Sequence, residues 1–332
     1  MLDRFFAGLV HPLIHYGHGA EFGVPGMAVE GLAWTAVHQP NAESLLPPEF
    51  FAPPTTDTTI SRLAQTLWIS SPPSNTSVHS FTILARLLKD SRFAPGVVVD
   101  ADGDDKLVDT LKNQGNLLYD YAKQWDCDIS TPDKLSSRIE ELSWLAALTY
   151  GVGGWNTSRG FLADFFLMHL VTSSLFIPSI IAQLDKTSQS ALLRAYAAVT
   201  FAVWVSRGRP SFQIKAFYEN VSTTPLPPLD APKPSAECLD KDHVTQNPWL
   251  ALLQSTVSHP DEHLVKTERA LAHYASLYGD RPKGHWGGTE LEGAEELDGS
   301  LFVRVAGLSL KRLGAVREGE ERGHWDRVGF FE

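Results

Sequence analysis

A chain of 332 residues, 43% of them hydrophobic, can bury one large core or two smaller ones, and its nine tryptophans suit deep apolar packing. The formal net charge of −11 argues against a binder of nucleic acid or of an anionic membrane, since a phosphate-tracking surface needs clustered cations. Cys127 and Cys238 are the only cysteines and lie far apart in sequence, which indicates neither a disulfide framework nor a cysteine zinc site and makes a reducing, cytoplasmic setting the expectation.

The opening M-L-D-R-F-F-A-G-L-V-H-P has an acid at position 3 and a histidine in its apolar run, unlike a signal peptide. Residues 3–18 read as a helix ending near Gly17, and residues 27–38 as a second. A proline-rich loop, Gln39 to Thr58, precedes a short helix at Ile60 to Ile69 and a turn at S-S-P-P-S-N-T, after which Ser77 is the expected cap of a helix carrying His79 and Phe81 to Leu88. Helical patterns continue over Lys106 to Trp125, Asp133 to Tyr150, Phe161 to Leu184 and Ser188 to Ser206. The stretch 165–182 has no acid or base except His169. It contains Thr172, Ser173, Ser174 and Pro178 and lacks a flanking basic cluster, so it reads as a central buried helix and no membrane span is expected. Residues 221–236, with five prolines, form a loop. Then come a helix at Pro248 to Val257, one within Ser258 to Gly279, a glycine-rich turn over 284–288, a helix at about Leu297 to Leu313 and a polar tail ending G-H-W-D-R-V-G-F-F-E. Neither a run of alternating strands nor an internal repeat is visible. The expected architecture is all-α: one helical domain over 1–332, with long Pro-rich loops and helices surrounding a buried histidine cluster.

The stretch S-H-P-D-E-H-L-V-K-T-E-R-A-L-A-H-Y-A-S-L-Y-G carries the chemistry most clearly. Pro260 suits the first helical position, Asp261 and Glu262 suit the positive end of a helix, and Gly279 is a stop. At 100° per residue His259, Glu262, His263, Lys266, Ala270, His273 and Leu277 share one stripe. His259 and His263, four apart, have the spacing with which one helix face offers two nitrogens to a metal ion, and a His259→Ala change is expected to cost metal. Lys266 can reach back toward them; its ammonium would repel a cation, but burial lowers a lysine pKa, and a neutral amine that takes up carbon dioxide becomes an anionic oxygen ligand. The competing reading of H-x-x-x-H is two solvated histidines at a helix start. His11 and His15 in H-P-L-I-H-Y-G-H-G repeat the spacing, and His169 sits in F-F-L-M-H-L-V-T-S-S, where an imidazole must be hydrogen-bonded or liganded. Singly, each also fits a satisfied core histidine. The candidate metal ligands are therefore His11, His15, His169, His259, His263 and Lys266, with Asp164 and Glu21 as acids that would fix imidazole tautomers. Ligand type does not separate iron from zinc. Trp34, Phe81, Phe165 and Phe166 are candidates for an apolar pocket. R-G-R-P offers Arg207 and Arg209 for the anionic part of a substrate or of NADPH, although an arginine followed by Gly-x-Pro is also a plain helix stop; Y-G-V-G-G-W-N-T-S-R-G lacks the dinucleotide order and reads as a turn. There is no G-x-S-x-G elbow and no P-loop.

Together H-P-L-I-H-Y-G-H-G-A-E-F, G-F-L-A-D-F-F-L-M-H-L-V-T-S-S-L-F, H-P-D-E-H-L-V-K and L-D-G-S-L-F-V-R-V-A-G resemble the questin oxidase-like family. The resemblance implies an all-helical oxidoreductase of secondary metabolism that opens rings of anthraquinone-like aromatic polyketides by Baeyer–Villiger-type or dioxygenase chemistry, with NADPH as a reductant. It also implies a non-haem Fe(II) held by histidines and a carboxylated lysine, the matching blocks offering His11 or His15, His169, His259 and Lys266. Related proteins begin with a further helical region that supplies another histidine, so this chain is expected to be shorter at its N-terminus, with His18 as a candidate replacement. The expected partners are an aromatic polyketide and dioxygen. Two alternatives stand beside this reading: an NADPH-dependent monooxygenase without protein-bound iron, and an inactive remnant that binds an apolar ligand.

Overall fold

The computed structural model describes residues 1–51, 78–225 and 247–331. Among them run α1 (Leu2–Phe5), α2 (Ala7–Phe22), α3 (Pro25–Val37), α4 (Ser80–Lys89), α5 (Lys106–Ala122), α6 (Pro132–Ala147), α7 (Phe165–Ser174), α8 (Ile177–Ile181), α9 (Lys186–Ser206), α10 (Ile214–Asn220), α11 (Pro248–Val257), α12 (Glu262–Tyr278) and α13 (Leu301–Leu313). The strands among the described residues are β1 (Trp155–Asn156) and β2 (Gly160–Phe161), an antiparallel pair with Trp155 opposite Phe161. The all-helical expectation holds. The helix expected at Ile60 to Ile69, the turn after it, Ser77 and most of the proline-rich loop at 221–236 lie outside the described residues.

The core is arranged around α7, which packs against α2, α6, α9 and α12. Every α7 residue except Phe166 is buried, which is why its sequence is apolar on all sides. The expected continuous helix from Phe161 to Leu184 is instead the end of the β1–β2 hairpin followed by two helices, α7 and α8. Asp164 caps α7 by accepting from the Phe166 and Leu167 N–H groups, both at 2.9 Å, and Pro178 restarts the chain as α8. Between α6 and the hairpin a π-helical turn, Leu148–Val152, is buried throughout.

Helices α2 and α3 cross closely because small residues meet there. A Cβ on Gly31 would stand 2.5 Å from the Tyr16 nitrogen and 2.6 Å from the Pro12 carbonyl oxygen. The first helical stretch differs from its expectation: it runs to Phe22, and Gly8, Leu9 and Val10, with φ of 54°, 55° and 58°, form a left-handed turn just before His11. For leucine and valine that conformation costs roughly 1–2 kcal/mol each. The outer side of this pair leaves Phe22, Val29, Leu32 and Val37 exposed.

The helix expected to start at Pro260 starts at Glu262. The Asp261 carboxylate accepts from the His263 and Leu264 N–H groups at 3.0 and 3.3 Å, so Asp261 is the cap and Pro260 lies outside. Likewise α4 is capped by His79, whose Nδ1 accepts the Phe81 N–H at 3.1 Å.

Candidate functional site

His169 lies between two other histidines, each carried by a different helix. The left-handed turn delivers His11 from α2, the buried face of α7 delivers His169, and the first turn of α12 delivers His263. The ring centroids of His11 and His169 are 4.9 Å apart, and those of His169 and His263 are 5.5 Å apart. Phe165 packs edge-on against His169 at 4.7 Å and His263 at 5.1 Å, fixing both rings from one side.

Main-chain carbonyls orient two of the rings. His11 Nδ1 donates to the Gly8 carbonyl at 2.6 Å, and His169 Nδ1 donates to the Phe165 carbonyl at 2.7 Å. With a proton on Nδ1, each Nε2 carries a lone pair; the tautomer follows from these contacts. His169 Nε2 is buried and has no hydrogen-bond partner among the described residues. Such an atom normally costs about 1–3 kcal/mol, and a ligand at that nitrogen would offset the cost. The Asp164 and Glu21 carboxylates do not set these tautomers: Asp164 is spent on capping α7 and on Arg207, and Glu21 pairs with Arg269 at 2.5 Å.

Burial holds all three imidazoles neutral. It lowers the His11 and His263 pKa values from 6.5, and pushes His169 down to about 3. The Lys266 charge adds to the lowering at all three, so it lies within electrostatic reach of them; burial in turn lowers its own pKa from 10.5, against the pull of Glu262 and Asp261. The lowering moves Lys266 toward the neutral amine, the form that would be compatible with a cation and that a carbamate would need.

The other candidates are placed elsewhere. His15 stacks on Trp34, at 4.6 Å between centroids, and its Nδ1 lies 3.1 Å from Glu30. His18 donates to the Ile14 carbonyl at 2.9 Å and packs on Phe176 at 4.4 Å. The four-residue spacing of His259 and His263 does not form a metal-binding face, because α12 begins only at Glu262. Instead His259 Nδ1 accepts the Asp261 N–H at 3.1 Å and Nε2 donates to the Leu313 carbonyl at 3.3 Å, so both ring nitrogens have partners inside the chain. Arg207 is not available to NADPH either. It is 3% exposed, donates twice to Asp164 Oδ2 at 3.0 and 2.9 Å, and lies over the Phe166 ring. Arg209 donates to the Leu87 and Asp90 carbonyls at 2.5 and 2.7 Å. Trp34 and Phe165 border the cluster, whereas Phe81 packs with His79 and Trp286.

The C-terminal tail is the part of the site the sequence did not disclose. Trp325 Nε1 donates to Asp261 Oδ1 at 3.1 Å and Arg322 donates to Asp261 Oδ2 at 2.9 Å, pinning the cap of α12. The next residue, Asp326, holds the entry to α7: its carbonyl accepts the Phe165 N–H at 2.8 Å, and its carboxylate accepts the Ala163 N–H at 2.8 Å. Two neighbouring residues thus fix the starts of the two helices that carry His169 and His263. Asp261, Glu262 and His263 also bring ligand-type atoms within 4.8 Å of one another. Asp261 already accepts four hydrogen bonds, which leaves that trio little free carboxylate capacity, while the three imidazoles do not all come within that distance of one another.

A helical bundle with neutral imidazoles gathered at its centre is the class of protein that this geometry defines. The chain belongs to the questin oxidase-like family, whose model matches residues 1–271. It is 29% identical over 297 residues to the Baeyer-Villiger monooxygenase AacuH of Aspergillus aculeatus, covering 83% of this chain and 54% of that protein. It is 24% identical over 279 residues to a questin oxidase of Aspergillus terreus, covering 82% and 53%, and 26% identical over 338 residues to one of Aspergillus fumigatus, covering 98% and 64%. The chain spans about half to two thirds of the length of these relatives. No helix among the described residues is long and apolar enough to cross a membrane.

Proposed function

We propose that His11, His169 and His263, with Lys266 beside them, hold a ferrous ion, and that the protein is an oxidoreductase of secondary metabolism that opens a ring of an anthraquinone-like aromatic polyketide. The observation that carries the metal reading is the buried His169 Nε2, which has no partner and lies among other neutral imidazoles. The reaction class follows from family membership and from the names of the relatives, Baeyer-Villiger monooxygenase and questin oxidase. Bound iron would supply activation of dioxygen.

The chain's own groups have defined tasks in this reading. The Gly8 and Phe165 carbonyls keep the Nδ1 protons of His11 and His169 in place, so that the Nε2 lone pairs remain available. Phe165 and Trp34 present ring faces and edges beside the imidazoles, and exclude water from that side. Lys266, with its lowered pKa, is the group on which a carbamate oxygen would form.

Metal analysis of the purified chain and oxygen uptake with an anthraquinone test the proposal. Near-stoichiometric iron and iron-dependent uptake are expected; a folded protein that neither retains nor takes up iron would remove it. Mass spectrometry of the Lys266 peptide under carbon dioxide trapping tests the carbamate separately.

A further inference from the structure

A cavity of about 730 Å³ lies between α11, α13 and the hairpin, and none of the cluster histidines lines it. Its aromatic wall is the cross-strand pair Trp155 and Phe161, placed side by side by the hairpin register. The hairpin leaves the π-helical turn, whose Tyr150 packs edge-on against Phe161 at 5.5 Å. Such turns are rare in proteins and recur at functional sites.

The opposite wall is one face of α13, where Arg304, Gly307, Leu308 and Lys311 follow one another at helical spacing. Pro225 packs over Gly307 in the middle of that face, where a Cβ would stand 2.5 Å from the Pro225 Cβ, and one cation lies on either side. The two cations are two turns apart, about 10.5 Å along the axis, which is the scale of a fused-ring molecule.

The charges favour an anion. Arg304 donates to the Tyr218 and Val221 carbonyls, contacts that orient the guanidinium and neutralise none of its charge. Lys311 has neither a hydrogen bond nor an ion pair among the described residues. Arg312 is neutralised by Asp326 at 2.6 Å, and Glu320, the acid of the lining, accepts the Ala315 N–H at 2.6 Å. In a chain of net charge −11, an aromatic cavity with two cations against one acid is a local reversal of sign.

We infer that this cavity is a second binding site, separate from the histidine cluster, for a planar aromatic anion whose rings lie along Trp155 and Phe161 and whose acidic group meets Lys311. The site stands whether or not the cluster binds iron.

Calorimetric titration of the full chain with 2-naphthoate and with neutral 2-naphthamide tests this. The wild-type chain should bind naphthoate with a dissociation constant no weaker than about 1 mM and the amide at least tenfold more weakly. Lys311→Glu, a change at an exposed side chain, should weaken naphthoate binding at least tenfold, and Ala251→Trp, which fills the cavity, should abolish it. His263→Ala should leave it unchanged. Equal binding of acid and amide, wild-type affinity in both cavity variants, or loss of binding in His263→Ala alone would overturn the inference. Metal content plays no part in these readouts, so they remain distinct from a failure of the iron reading.

Discussion

His169 illustrates what a single buried atom implies. Its Nδ1 is bonded and its Nε2 is not, and the ring cannot satisfy both by rotating because Phe165 and His263 hold its sides. Replacing it with alanine should remove metal binding. His259, whose two nitrogens are used inside the chain, should behave differently: His259→Ala is expected to lower stability by about 1–2 kcal/mol with metal stoichiometry unchanged. Metal analysis alongside urea denaturation separates the two outcomes. Acidity gives a second handle. The His169 pKa of about 3 lies below its unfolded value near 6.5, so the unfolded chain binds the extra proton and stability is lost as pH falls through that window, by at most about 1.4 kcal/mol per unit. Glu268 has the opposite sign. It is fully buried, neither carboxylate oxygen has a hydrogen-bond partner among the described residues, and burial raises its pKa well above 4.5, so its contribution is lost as pH rises above that value. Glu268→Gln should therefore flatten the decline of stability on the alkaline side. An unchanged slope in urea midpoints measured from pH 5 to 8 would contradict this.

Among the elements, the tail and the α2–α3 crossing are the most exposed to test. Trp325→Phe keeps a ring beside His263 and deletes the donor to Asp261, while Asp326→Ala removes the acceptor for Ala163. The first should cost about 1 kcal/mol and the second about 2–3, because it also leaves Arg312 without its partner. Both should alter the visible spectrum of cobalt substituted at the cluster, a signal that simple loss of stability leaves alone. Gly31→Ala should cost about 1–3 kcal/mol by forcing α3 away from α2. These elements also show what could be read in advance. The burial of α7, though not its ends, was legible because an uncharged stretch leaves a pattern within the element itself, and so was α11, which has a proline at its first turn. The start of α12 was misplaced by two residues: proline and aspartate both suit a helix entry, and only the hydrogen bonds of Asp261 decide between them. That shift of two residues takes His259 out of the helix that carries His263. The roles of Arg207 and Trp325 were illegible for another reason: their partners are distant in sequence, and nothing local marks a bond from Trp325 to Asp261 or from Arg207 to Asp164.

At the scale of the molecule, the histidine cluster and the aromatic cavity are joined through Asp326. It receives Arg312 from the cavity wall and Ala163 and Phe165 from the start of α7. The two sites therefore share a support without sharing a lining residue. Because Asp326 pairs with residues about 160 positions earlier, part of the support belongs to the slowest class of contacts to form.

The same tail has a consequence for how the protein is made. A nascent chain emerges from its first residue onward, and His11, His169 and His263 are all outside the ribosome before Trp325 and Asp326 are synthesised. Until those two residues arrive, the entries to α7 and α12 lack their fastening, and the His169 imidazole, buried at the end, is not yet enclosed. A metal ion taken up during translation would therefore meet a different set of donors from one taken up after release.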